Sequence, residues 1–157
     1  MIVYHTSYTT VRFPNVRYSR EALDFGKGFY VTSLKQQAID YADKFRFRGK
    51  QAVLNLYELE DDWESGVNVK RFDAYDEEWL DFVAANRKCQ EVEHFDAVEG
   101  GIANDKVFRT LDLYFSGDID KVSALKKLKY EVPNHQICLL NQKLIDSKLK
   151  FISSELL

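Results

Sequence analysis

His5 near the start, Tyr30 and Tyr41, a late Gln136, and Asp105 at the head of an apolar stretch are the side chains here whose types and spacing could do chemistry. An imidazole donates and accepts hydrogen bonds at once. Flat phenol rings are stacking platforms for an aromatic ligand. A carboxamide can hold a hydroxyl but takes no proton, so any base must come from elsewhere. Asp105, in Ala103-Asn104-Asp105, is the first candidate for that base, and Glu99 stands behind it. Gly26 and Gly28 flank Lys27 just before an aromatic strand, where glycine admits backbone geometry closed to other residues. Lys27 could neutralise a phosphate, but Gly-Lys-Gly alone is too short for a nucleotide loop. The chain has no His-Glu-x-x-His, no Ser-centred elbow and no Cys-x-x-Cys, which removes the common metalloprotease, hydrolase and zinc readings.

Each of these residues also has a plainer role. A lone histidine at a strand end can be satisfied by backbone, and an inward tyrosine on an amphipathic helix is core. Asn104 or Asp105 can cap the helix that follows, and Arg109, one turn on, can pair with Asp105. Arg12, Arg17 and Arg20 lie in a loop after His5, either solvated or able to grip a diphosphate bidentately.

The elements that must position these groups follow from periodicity. Met1 to His5 favours a strand, and the Pro14 region then reads as irregular loop to about Asp24. Phe29 to Thr32 reads as a strand, after which Ser33 offers an N-cap to a helix that repeats Ala38, Tyr41, Ala42 and Phe45, with Tyr41 inward. Gln51 to Glu58 alternates like a strand with at least one buried face. Asp76 to Asn86 repeats Trp79, Leu80, Phe82 and Val83 with acids in its first turn, as the helix dipole favours. Phe95 to Val98 is a short strand, and Asp105 to Phe115 a helix presenting Val107, Phe108, Leu111, Leu113 and Tyr114 to the core. Asp118 opens another helix that reaches Leu128. Gln136 to Leu140 reads as a buried strand, Gln142 to Ser147 as a helical turn, and Leu149 to Ile152 as a last strand. Strands scattered among helices without strict alternation predict α+β rather than a doubly wound sheet.

A chain of 157 residues predicts one domain, 1–157, with one core. No stretch nears the roughly 20 apolar residues that span a bilayer, and no secretion signal opens the chain, so a cytoplasmic protein is expected. Cys89 and Cys138 are too isolated for a disulfide scaffold or a metal site and are expected to be reduced. Charge is uneven: residues 1–50 hold nine Lys/Arg against four Asp/Glu, 51–100 four against fourteen, and 101–157 nine against seven. Basic ends around an acidic middle suit an anionic cofactor gripped by the terminal segments; a solvated acidic helix face explains the middle equally well.

Taken in order, these segments resemble an ADP-ribosyltransferase of the branch that includes the poly-ADP-ribose polymerases. More closely, Leu23-Asp24-Phe25-Gly26-Lys27-Gly28-Phe29-Tyr30, Glu78-Trp79-Leu80-Asp81-Phe82-Val83, Asn86-Arg87, Phe95-Asp96-Ala97-Val98-Glu99-Gly100 and Ala103-Asn104-Asp105 resemble a bacterial family of uncharacterised domains, DUF3990. The resemblance implies a fold of split mixed β-sheets with flanking helices, and NAD as substrate. It also implies that His5 holds the adenosine ribose, Thr6 offers backbone to the nicotinamide amide, and Tyr41 and Tyr30 line the nicotinamide faces. Gln136 stands where the polymerases carry a glutamate, so chain elongation is not expected. The reading is therefore a mono-ADP-ribosyltransferase acting on a macromolecular acceptor, with a toxin role and an antitoxin partner implied by the family's context. A silent NAD- or ADP-ribose-binding module and a plain structural domain are the competing readings.

Overall fold

The computed structural model describes Met1–Leu157, folded as α+β around two sheets. In chain order the elements are β1 (Ile2–Ser7), β2 (Phe29–Val31), α1 (Lys35–Asp40), α2 (Asp43–Arg46), β3 (Val53–Leu59), β4 (Val69–Arg71) and α3 (Glu77–Arg87). There follow β5 (Ala97–Gly100), α4 (Asp105–Phe115), α5 (Lys121–Leu128), β6 (Gln136–Leu139), α6 (Gln142–Lys148) and β7 (Leu149–Leu156). The first sheet is antiparallel, in the order β1-β3-β7; the second runs β2-β6-β5-β4, with β4 and β5 parallel and the other pairs antiparallel. One bridge joins them, Tyr4 against Thr32, whose amides exchange hydrogen bonds of 2.8 and 3.0 Å.

Strand alternation divides the core into two layers. Val31, Phe29, Ile137, Leu139 and Ala97 project from one face of the second sheet onto Val3 and Tyr57 of the first sheet. Val98 and Cys138 project from the other face onto Trp79, Leu80 and Val83 of α3 and Leu111 of α4. Each large side chain buried this way contributes roughly 1.5–3 kcal/mol. Because β3 is central, both its faces are covered: Val53, Leu54, Asn55, Tyr57 and Leu59 are all buried.

Helix starts follow side-chain capping where the sequence offers it. Asp76 accepts from the Trp79 amide at 2.9 Å, Asn104 from Val107 at 2.9 Å, and Asp120 from Ser123 at 2.7 Å. The Ser33 cap does not form. Leu34 is the N-cap of α1 and makes no side-chain bond, while Ser33 turns toward His135. The expected long helix is instead two short ones separated at Tyr41 and Ala42. In α4, Val107 and Leu111 are buried as expected, but Phe108 and Leu113 face outward. Arg87 lies over the Phe108 ring at 4.8 Å, so the ring packs beneath a guanidinium rather than in the core. Strand β4 was not anticipated; three residues with one parallel neighbour carry no periodicity to detect.

Several motif segments meet in one architectural knot. Asp24 is buried; its Oδ1 accepts from Arg87 Nε at 2.7 Å and its Oδ2 from the Ala103 amide at 2.7 Å. Asn86 donates to the Asp24 carbonyl at 3.1 Å. Thus Leu23-Asp24, Asn86-Arg87 and Ala103-Asn104 are held together by a single carboxylate. Gly26 turns here with φ +97°, in the left-handed region that favours glycine.

Candidate active site

Alternation along β6 decides which late residue faces His5. His5 stacks on Phe29 with ring centroids 4.4 Å apart, on the face turned toward the first sheet. Ile137 shares that face, and so does His135, two residues earlier. Gln136 shares the opposite face with Cys138 and its cross-strand partner Tyr30. His5 stands on β1 of the first sheet, Gln136 on β6 of the second and Tyr41 at the end of α1, and no hydrogen bond or ring contact joins the three.

On the His5 face, neighbouring strands carry a chain of polar side chains. Ser33, just past β2, lies with its Oγ 3.1 Å from His135 Nδ1. His135 Nε2 is 2.9 Å from Glu99 Oε1 on β5, and Arg71 Nε on β4 donates to Glu99 Oε2 at 2.9 Å. Arg71 continues to Glu64. The Ser33 amide also points at His135 Nδ1, at a long 3.5 Å. A backbone N–H can only donate, so this contact favours the tautomer with its lone pair at Nδ1 and its N–H at Nε2, toward Glu99. The result is an imidazole with its basic nitrogen directed at a hydroxyl and its other nitrogen anchored by a carboxylate. The His135 hydrogen bond, then the Arg71 charge, hold the Glu99 carboxyl below its ordinary value against the opposing effect of burial. Helix α1 fixes the backbone of this segment, Gln37 donating to the His135 carbonyl at 2.8 Å and accepting from its amide at 3.1 Å. A cavity of about 310 Å³ opens beside the dyad, lined by Glu99, His135, Arg71, Asp73, Gly101 and Asn134 among others.

The remaining candidates lie as follows. His5 is half-buried, its Nδ1 2.7 Å from the Tyr30 carbonyl. Desolvation lowers its pKa, outweighing that hydrogen bond, so the ring is neutral at pH 7. Thr6 spends its hydroxyl on the Ala38 carbonyl of α1. Tyr30 uses its hydroxyl structurally, accepting from the Phe25 amide at 3.0 Å and donating to the Gly26 carbonyl at 2.8 Å. Burial pushes that phenol far above its ordinary pKa. Tyr41 caps α1, edge-on to Phe45 at 5.8 Å with Lys44 over its ring at 4.9 Å. Gly28 is demanded by packing, since a Cβ there would sit 2.6 Å from Cys138 Sγ and 2.7 Å from the Leu139 carbonyl oxygen. Asp105 is exposed in the first turn of α4, and the cap is Asn104. Arg109 forms no ion pair with it. Arg12 lies 5.0 Å over the Phe151 ring.

His135 is the residue that reading the sequence passed over. It directly precedes Gln136, and only the strand register tells which of the two adjacent side chains lies on the sheet face of Phe29 and Ile137.

A family model described as a protein of unknown function, DUF3990, matches residues 1–151, so the chain belongs to that family. No curated protein and no solved structure matches it. No helix is long and apolar enough to cross a membrane.

Proposed function

We propose that this member of the DUF3990 family is a mono-ADP-ribosyltransferase that uses NAD to modify a macromolecule, with the His135–Glu99 dyad as its base. Breaking the bond from ribose to nicotinamide builds positive charge on the sugar carbon, as in glycoside cleavage. Clamping the cofactor and removing the acceptor's proton are then the protein's tasks. The observation that carries the reading is the Ser33–His135–Glu99 hydrogen-bonded chain with a cavity beside its histidine and carboxylate.

In this reading His5 hydrogen-bonds a ribose diol. The C–N bond breaks and nicotinamide leaves neutral. The acceptor atom bonds to the ribosyl carbon, and its proton passes to His135 Nδ1, directly or through the Ser33 hydroxyl. Glu99 stabilises the resulting imidazolium. Glu99 replaces Asp105 as the working carboxylate, because Asp105 is exposed and faces no imidazole. Gln136 lies outside this chemistry.

The test is nicotinamide release and transfer of labelled ADP-ribose into whole lysate. His135→Gln and Glu99→Gln should lower transfer about 100-fold or more while changing stability by no more than about 1 kcal/mol, and Gln136→Glu should leave transfer nearly unchanged. A Gln136→Glu variant that gains turnover while His135→Gln retains it would sink the assignment. A second reading, a silent NAD-binding module, is favoured by one observation: Arg71 already neutralises Glu99. Thermal stabilisation by NAD with no nicotinamide released would establish that reading instead. If the protein is a toxin, its expression should arrest growth, and His135→Gln should relieve the arrest.

A further inference from the structure

The segment after α1 forms a cationic face studded with rings. Phe45 lies 5.8 Å from Tyr41 and 6.5 Å from Tyr8, tying the β1 end to α2. Lys50 sits over the Tyr8 ring at 4.8 Å. Phe47, with neighbours Arg46 and Arg48, is 91% exposed, although burying a phenylalanine would be favourable. One ion pair on this face joins Arg46 to Asp43 at 3.0 Å; Lys44, Arg48 and Lys50 pair with no carboxylate. In a chain of net charge −3, so local a positive excess beside exposed rings is a specific feature.

We infer that Tyr8, Phe45 and Phe47, with Lys44, Arg48 and Lys50, bind single-stranded nucleic acid. Aromatic platforms alternating with cations match the two recurring parts of such a ligand, the base faces and the phosphates. A duplex hides its base faces in the stack, so unpaired strands fit these rings better. A bilayer is disfavoured, because residues 41–50 hold no Leu, Ile, Val or Trp to form the apolar stripe of a membrane-surface helix.

The face and the candidate site share one element, helix α1. Tyr41 closes the same helix whose Gln37 grips the His135 backbone. Four residues of helix separate them by about 6 Å along the axis. Nucleic acid held by this face is thereby a candidate acceptor class; that step rests on the proposed transferase activity, whereas the binding does not.

Fluorescence anisotropy with labelled oligodeoxythymidine and oligouridine tests the binding. Three unpaired cations at about −0.7 each predict a slope near about −2 for log affinity against log salt. Phe47→Ala should weaken binding about tenfold, as loss of one stacked base does. Arg48→Glu with Lys50→Glu should abolish it. Phe47→Ala should leave the melting temperature unchanged. No oligonucleotide binding at low salt, binding unaltered by these variants, or binding only to phosphatidylserine vesicles would overturn the inference. Label transferred from NAD to protein alone, without oligonucleotide binding, overturns it while leaving the transferase reading intact. Oligonucleotide binding without NAD turnover supports the face and removes the transferase reading.

Discussion

Asp24 and Glu99 are both carboxylates held by a guanidinium on one side and by a second donor on the other, yet their settings differ. Asp24 is buried, and its partners are the Arg87 guanidinium and the Ala103 amide. Glu99 is half-buried beside a cavity, and one of its partners is an imidazole. Both lie in segments that resemble the family's motifs. Burial with fixed partners makes a carboxylate a structural pin, whereas access and a titratable partner let one serve chemistry. Motif membership alone does not separate the two.

The comparison is broken most directly at Asp24. Asp24→Ala leaves Arg87 unpaired and the Ala103 amide without its acceptor, and should cost about 3–5 kcal/mol in urea denaturation. A loss below about 1 kcal/mol, the range of an exposed pair, would remove Asp24 from its structural role. Glu99→Gln should show the reverse pattern, changing stability by no more than about 1 kcal/mol while lowering ADP-ribosyl transfer about 100-fold or more. Equal losses of stability in both variants would erase the distinction.

Gly28→Ala probes the Asp24 side from a second direction. The new methyl would meet Cys138 Sγ and the Leu139 carbonyl, so a melting shift equivalent to about 1–3 kcal/mol is expected. Paired with Cys138→Ala, which makes room for the methyl, part of that loss should return. A full loss in the double variant would place the strain in the backbone instead.

Acid titration sharpens the comparison with the smallest effects. The folded-state pKa of Glu99 lies below its ordinary 4.5, so its contribution is present above that pH and is lost as pH falls through the lowered value. Glu99→Gln should flatten that part of the stability curve. His5 is opposite in origin: its folded-state pKa is lowered by desolvation, so the unfolded chain takes up the proton first. Stability should therefore decline as pH falls from 6.5 toward the lowered value, and His5→Gln should remove that slope.

Much of the fold is legible because its signals are local. Helix α4 begins and ends where its apolar spacing places it, and α3 starts one residue inside its predicted bound, with Asp76 as cap. Strands β1, β5 and β6 were each located within two residues at either end. Where the reading fails, distant partners compete with local preference. Ser33 is a good cap by type, but His135 takes its hydroxyl. Tyr41 fits an inward helical stripe, but the helix breaks at that residue and the ring stays half-buried among Phe45 and Lys44.

The sequence by itself determined the α+β class, the capped helices, and the need for glycine at a turn before an aromatic strand. Those features depend on residue type and on spacing within a few turns. Only the tertiary structure decided that His135 rather than Gln136 lies on the sheet face of Phe29 and Ile137, that Glu99 rather than Asp105 meets an imidazole, and that Asp24 ties three distant segments together. The reason is physical: a one-residue change in strand register exchanges the two faces of a sheet, and register is fixed by pairing with strands far away in the chain.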